Sequence, residues 1–347
     1  MRYQKLKVLI GLVAVAMLVS AISAGTGSAR SDATAGPAAA NGESYKIFLI
    51  PKFIGIPVFT LNGQGGKEAG KKLGDTVTYN GPTEASAAKQ VPFIDTAVRQ
   101  GYNAIVISAN DPNAVAPALK RAQARGLKVV TYDADAAKDA RTIYVSPPDT
   151  QSIGAGQVEW VGSQIGYKGE IAILSATTTA ANQNAWIAVM KKELKKAKYR
   201  GMKLVKIAYG NDNDTKSAQE TQALLQAYPK LKGIIAPTSV GLPAAARVLQ
   251  QAGKCRAIAL TGLATPNSMR TYTKRGCGRK FGLWNEVDFG YLAVYVAHAV
   301  LEGDLTGKRG ESLTAGRLGK RTVGANNTMP MGPPLVFTPQ NIDKYRF

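Results

Sequence analysis

The sequence predicts an α/β protein built from two doubly wound parallel-sheet units, and three observations lead there. From Tyr45 onward, short β-rich runs alternate with helical periodicity, the pattern of a parallel sheet covered by helices on both faces. The scheme pauses at "SPPDTQSIGAG", residues 146–156, and then repeats. The chain has 347 residues and is 45% hydrophobic, enough for two cores of ordinary size.

In the first unit the strand candidates are "KIFLI", "TVTYN", "AIVIS", "KVVTYD" and "TIYV". They are separated by "GQGGKEAGKKLG", "EASAAKQVPFIDTAVRQG" and "PNAVAPALKRAQARG", helical segments closed by glycine or a basic residue. In the second unit "EIAILSA", "MKLVKIAYG", "GIIAP", "AIALTG" and "KFGLWN" alternate with "NQNAWIAVMKKELKKAK", "TKSAQETQALLQAYP" and "GLPAAARVLQQAG". Ahead of both, Arg2, Lys5 and Lys7 precede the apolar run Val8 to Val19 and a tail of small residues. That is the layout of an export signal over residues 1–24, followed by a small-residue linker over 25–44. An uncleaved membrane anchor is the alternative.

The net charge of +21 is spread along the chain and is densest at "KKELKKAKYR", Lys191 to Arg200. No helix-turn-helix, zinc-finger spacing or arginine-glycine tract accompanies it, so the lysines read as a solvated helix face and nucleic acid is not an expected partner. The two cysteines, Cys255 and Cys277, leave open a disulfide or two buried thiols. The single histidine, His298, falls on an apolar helix and reads as a packed residue.

Open α/β sheets bind ligands beyond the carboxyl ends of their strands. Those ends carry Lys52 and Phe53, Asn110 and Asp111, Tyr132, Asp133 and Asp135, then residues 177–183, Pro237 to Ser239, and Trp284 with Asn285. Amides, carboxylates, hydroxyls, one ammonium and aromatic faces suit a polyhydroxylated ligand, whose buried hydroxyls each need a donor and an acceptor. Enzyme chemistry finds fewer parts. There is no G-x-S-x-G or H-E-x-x-H, and the glycines of "NGQGGKEAG" miss the dinucleotide spacing. Asp133 with Asp135 is the one acid/base pair on offer; no catalytic residue, metal or cofactor is expected.

With "LIPKFIGIPVF", "VTYNGPTEAS", "QGYNAIVISA", "NQNAW", "YGNDNDTKS", "TPNSMR", "KFGLWN" and "NIDKYRF" in place, the chain from Tyr45 to Phe347 resembles the type I periplasmic binding proteins of sugar ABC transporters. Within them it is similar to the branch of rhamnose-binding and autoinducer-2-binding proteins. The resemblance implies two lobes joined by three crossovers that close on a small ligand. It implies an N-terminal lobe of 45–147 and 286–325, and a C-terminal lobe of 148–285 and 326–347. It implies an exported, monomeric, non-enzymatic receptor that hands a sugar to a membrane permease. Ligand contacts carried over fall on Lys52, Asp133, Asn182, Gln183, Pro237 and Ser239. The autoinducer-binding relative has aspartate at the position of Asn182 and alanine at that of Ser239, which favours a rhamnose-like deoxyhexose over the autoinducer. Phe53, Phe59 or Trp186 would then shield Lys52 and cover the sugar ring, and Asn285 completes the expected set.

Overall fold

The structure is a computed structural model and describes residues 44–347. The segment read as an export signal and nearly all of the linker lie outside the described residues.

The first sheet contains β1 (Lys46–Ile50), β2 (Thr76–Tyr79), β3 (Ala104–Ile107), β4 (Lys128–Tyr132) and β5 (Ile143–Ser146), connected through α1 (Pro57–Leu73), α2 (Ala87–Arg99) and α3 (Ala116–Ala124). The second half runs α4 (Thr150–Ile165), β6 (Lys168–Ser175), α5 (Ala181–Glu193), β7 (Gly201–Tyr209), α6 (Asp214–Ala227), β8 (Leu231–Ala236), α7 (Gly241–Gln251), β9 (Ala259–Gly262), α8 (Pro266–Lys274) and β10 (Phe281–Leu283). The chain ends with α9 (Glu286–Glu302), β11 (Ser312–Thr314), β12 (Lys320–Thr322), β13 (Thr328–Pro330) and β14 (Leu335–Phe337). The first sheet is parallel throughout, in the order β13-β5-β4-β3-β1-β2. The second is parallel in the order β7-β6-β8-β9, and the antiparallel pair β10-β14 adjoins it through a bridge from Leu263 to Gly282.

The central strands are apolar on both faces because both faces are covered, whereas the edge strands β2 and β7 keep exposed and half-buried polar positions. Along β1, Ile47 and Leu49 join the core shared with α9, while Phe48 and Ile50 join the core of α2 and α3, the alternation a pleated strand imposes. α1 starts with Pro57, whose missing N–H has no helical partner to lose, and stops at Gly74 in the left-handed region (φ 83°). Helix α9 lies against α1 and the first sheet, and the two helices meet through glycines. A Cβ on Gly290 would sit 1.9 Å from the Asn62 carbonyl oxygen, and one on Gly65 would sit 1.7 Å from that of Val287. This close crossing sets Asn62 directly against Glu286.

The sequence reading differs from the structure in several elements. The stretch "SPPDTQSIGAG" holds the end of β5 and the start of α4, whose N-terminus Asp149 caps through Ser152 N–H. Strand β13 pairs with β5, so residues 326–330 belong with the first sheet and not, as expected, with the second lobe. The chain leaves that sheet after Pro330; three residues are too short a run to show strand periodicity. His298 is buried but not simply packed, since its Nδ1 lies 2.8 Å from Asp75 Oδ2. Cys255 and Cys277 are joined as a disulfide, with their Cα atoms 4.5 Å apart. Among the described residues no helix is long and apolar enough to cross a membrane.

Candidate functional site

The carboxyl ends of the strands in both sheets face a shared cleft, with about 470 Å³ free of protein atoms, part of it open to solvent. Its first wall starts where β1 stops. Pro51 ends the strand, and the next side chain, Lys52, is only 4% exposed. Its backbone is pinned from behind: Asn110 Nδ2 donates to the Lys52 carbonyl (2.7 Å), and the fully buried Gln90 donates to the carbonyls of Pro51 and Ser108 and accepts from Asn110 N–H. A lysine at the mouth of a buried strand is therefore held rigidly, with its ammonium inside the cleft.

Asp133 follows β4 with φ 57°, an unusual left-handed conformation for a residue with a side chain. Ser108 Oγ donates to its Oδ2 (2.7 Å), and the Tyr144 hydroxyl donates to its carbonyl (2.8 Å). From the facing lobe Asn182, on α5, reaches both groups. Its Nδ2 donates to Asp133 Oδ1 at 3.1 Å, and its Oδ1 accepts from Lys52 Nζ at 3.3 Å. Lys52 and Asp133 themselves stand 3.8 Å apart. One carboxamide thus spans the gap by using its donor on the acid and its acceptor on the cation. An aspartate there could accept only.

Gln183 accepts from Ser175 Oγ and Ala176 N–H through Oε1 (both 2.8 Å); among the described residues its Nε2 donates to no protein group. Across from it, Pro237, Thr238 and Ser239 form the edge between β8 and α7. Asp212, after β7, also holds a left-handed backbone (φ 47°) and accepts from Thr238 Oγ1 at 2.5 Å. Burial pushes its carboxyl above the ordinary range, against the opposing Lys52 charge and the Thr238 hydrogen bond. At the floor Asn62 Nδ2 donates to Glu286 Oε2 (2.7 Å) and to its carbonyl (2.8 Å). Burial holds the Glu286 carboxyl well above the usual carboxylate range despite that bond, and the Asp133 charge adds to the shift. Ile56, Val58, Phe59, Trp186, Leu263, Leu283 and Trp284 supply the apolar lining, with Trp186 edge-on to Trp284 at 6.2 Å.

Of the residues expected from the sequence, Lys52, Asp133, Asn182, Gln183, Trp186, Pro237 and Ser239 all line this one cleft. Two do not. Phe53 is buried edge-on against Phe59 at 5.7 Å and so buttresses the wall. The Asn285 side chain caps α9, accepting from Val287 and Asp288 N–H at 3.0 and 3.2 Å. Asp135 is no acid/base partner for Asp133, because Arg141 holds it through two hydrogen bonds of 3.0 and 2.8 Å. Asp212, Asn62 and Glu286 were missed. The rule that singled out the other strand ends covers Asp212, in "YGNDND" after β7, whereas Asn62 and Glu286 meet only through the crossing of α1 with α9. No group of three or more His, Cys, Asp or Glu among the described residues could hold a metal ion.

Comparison with known proteins now bears on this cleft. A sugar ABC transporter structure from Actinomyces odontolyticus is 44% identical, with a TM-score of 0.71 over 88% of this chain and 100% of that one. A solute-binding protein from Clostridium phytofermentas with bound L-rhamnose is 32% identical, with a TM-score of 0.85 over 87% of this chain and 98% of that one. LsrB from Clostridium saccharobutylicum in complex with AI-2 is 26% identical, with a TM-score of 0.82 over 87% and 100% of the two chains. The family model described as the periplasmic binding protein domain matches residues 47–305. The chain therefore belongs to the periplasmic binding protein family, as an extracytoplasmic solute-binding protein of sugar ABC transport and not an enzyme.

Proposed function

We propose that the protein is the receptor of an ABC importer for a neutral monosaccharide, with a rhamnose-like deoxyhexose favoured. The observation that carries this is the bridge from Lys52 through Asn182 to Asp133 across the cleft. A sugar entering there meets a cation, an acid and an amide already oriented for hydroxyls, while Trp186, Trp284 and Phe59 offer faces for its C–H surface. The aliphatic strip of Ile56, Val58, Leu263 and Leu283 suits a methyl group, which a 6-deoxy sugar has and a hexose lacks. The likeness to the L-rhamnose complex supports the same choice. Each hydrogen bond to a charged group contributes about 1.5–3 kcal/mol, so a few supply the ~8 kcal/mol of micromolar affinity. In this reading the chain is exported by its N-terminal signal, acts as a monomer, and delivers the sugar to its permease by lobe closure.

An autoinducer-2 receptor on the same scaffold is the second reading, supported by the likeness to the AI-2 complex. Asn182 and Ser239 are the residues that set the two apart. A thermal-shift screen of deoxyhexoses, pentoses, hexoses and the autoinducer tests the proposal, because a ligand of the native form raises the melting temperature. A rise with L-rhamnose or a related deoxyhexose, confirmed by saturable calorimetric binding, is the expected result. A rise with the autoinducer alone favours the second reading, and no rise with any sugar removes the first.

A further inference from the structure

Two carboxyl groups of the lining stand outside the bridge: Glu286, which accepts from Asn62 at the floor, and Asp212. Asp133 has both oxygens occupied, by Ser108 and Asn182, and stands beside the only ammonium in the lining. Asp212 has one oxygen on Thr238 Oγ1; its Oδ2 receives no hydrogen bond, and the residue forms no ion pair, among the described residues. The backbone at Asp212 adopts φ 47° and at the preceding Asn211 φ 55°, conformations that cost of order 1 kcal/mol each and persist where the surroundings demand them. A partly desolvated carboxylate oxygen without a donor is costly unless a ligand supplies one.

The features that would welcome an anion are meanwhile already taken. Helix α7 starts beside the cleft, but its Val240 and Gly241 N–H groups both donate to Thr238 Oγ1, at 3.3 and 3.2 Å. The N–H groups of Val287 and Asp288 at the start of α9 go to Asn285, and Gln183 N–H goes to Asn182. The Lys52 ammonium is flanked by Asn182 and Asp133. Against this single cation the lining sets three carboxyl groups, Asp133, Asp212 and Glu286.

We infer that Asp212 is a ligand-contacting, specificity-determining residue: its free oxygen accepts a hydrogen bond from a sugar hydroxyl, and with Asp133 it restricts the cleft to uncharged sugars, rejecting sugar acids and sugar phosphates. A sugar hydroxyl gives Asp212 the missing donor. A carboxylate or phosphate gives it none and meets like charge at short range. The inference rests on the sugar-receptor reading and deepens it.

The test is calorimetric titration of the wild type and Asp212→Asn with L-rhamnose, D-ribose and D-galactose, and with D-galacturonate and D-glucose 6-phosphate. Asparagine tolerates the left-handed backbone, and a melting curve of the ligand-free variant checks its fold. The wild type is expected to bind at least one neutral sugar and to bind both anions at least 100-fold more weakly. Asp212→Asn should lose about 10- to 100-fold in affinity for the neutral sugar and narrow the gap to the anions. Neutral-sugar affinity unchanged in Asp212→Asn, or an anion bound by the wild type as tightly as the best neutral sugar, overturns this inference and leaves the receptor standing. Binding of none of the five removes the sugar reading and this inference with it.

Discussion

Replacing Lys52 by methionine keeps an unbranched stem of similar length and deletes only the charge and its donors. In the folded chain Lys52 is 4% exposed and its ammonium stands 3.8 Å from Asp133, a separation worth about 4 kcal/mol of gross attraction at an effective dielectric of about 20. Desolvation offsets most of that, and breaking a fully buried pair costs about 3–5 kcal/mol. Asp133 keeps its donors from Ser108 and Asn182 and is 16% exposed at the side chain, so the loss of folding stability should fall nearer 2 kcal/mol, roughly, than the top of that range. Sugar binding should lose more distinctively. One ammonium-to-hydroxyl bond contributes about 1.5–3 kcal/mol, which is about 10- to 150-fold in affinity. Urea unfolding measures the first quantity and isothermal titration the second. A Lys52→Met variant that binds the sugar within threefold of wild type refutes the role given to the ammonium.

Further outcomes follow from residues outside the cleft. The disulfide spans 22 positions, a loop whose closure stabilises by about 3 kcal/mol; Cys255→Ser with Cys277→Ser should lower the melting temperature by several degrees with ligand specificity intact, which a melting curve and a repeat of the sugar screen would show. Asp75 raises the pKa of His298 above its ordinary 6.5, so the pair stabilises fully below pH 6.5 and the benefit fades as pH rises through the folded value. Denaturant unfolding should therefore give wild type its largest advantage over His298→Gln near pH 6 and a smaller one near pH 8.5, and a constant difference would contradict the pairing. Gly290→Ala places a methyl 1.9 Å from the Asn62 carbonyl and should cost at least about 1–3 kcal/mol. It should also weaken sugar binding by displacing Asn62 from Glu286, which titration of the same variant would measure.

Much of this architecture is written locally. The strands β1 to β10 coincide with β-rich runs, most plainly the central ones such as β3, β8 and β9, which are buried on both faces and therefore almost continuously apolar, and most of the helices between them carry their own stop signals, such as Gly74 after α1. Lys52, Asp133, Asn182, Gln183 and Ser239 were legible because strand ends are where such sheets put ligands, and the resemblance to sugar-binding proteins singled them out. What the local pattern leaves out is set by contacts distant in sequence. Asn62 and Glu286 are 224 positions apart and meet only because glycines let α1 and α9 touch. Phe53 and Asn285 stand at strand ends, yet one turns into the core and the other is drawn to the unpaired N–H groups at the head of α9. Strand position alone does not decide between a ligand and a helix terminus.

The most direct measurement is a crystal structure of residues 44–347 grown with the sugar that gives the largest thermal shift. The account predicts one sugar between the lobes, with ring hydroxyls within hydrogen-bond distance of Lys52 Nζ, Asp133 and Asn182 and a carbon face against Trp186 or Trp284. Density for the sugar elsewhere on the surface, or a sugar in the cleft with Lys52 and Asp133 turned away from it, would contradict it.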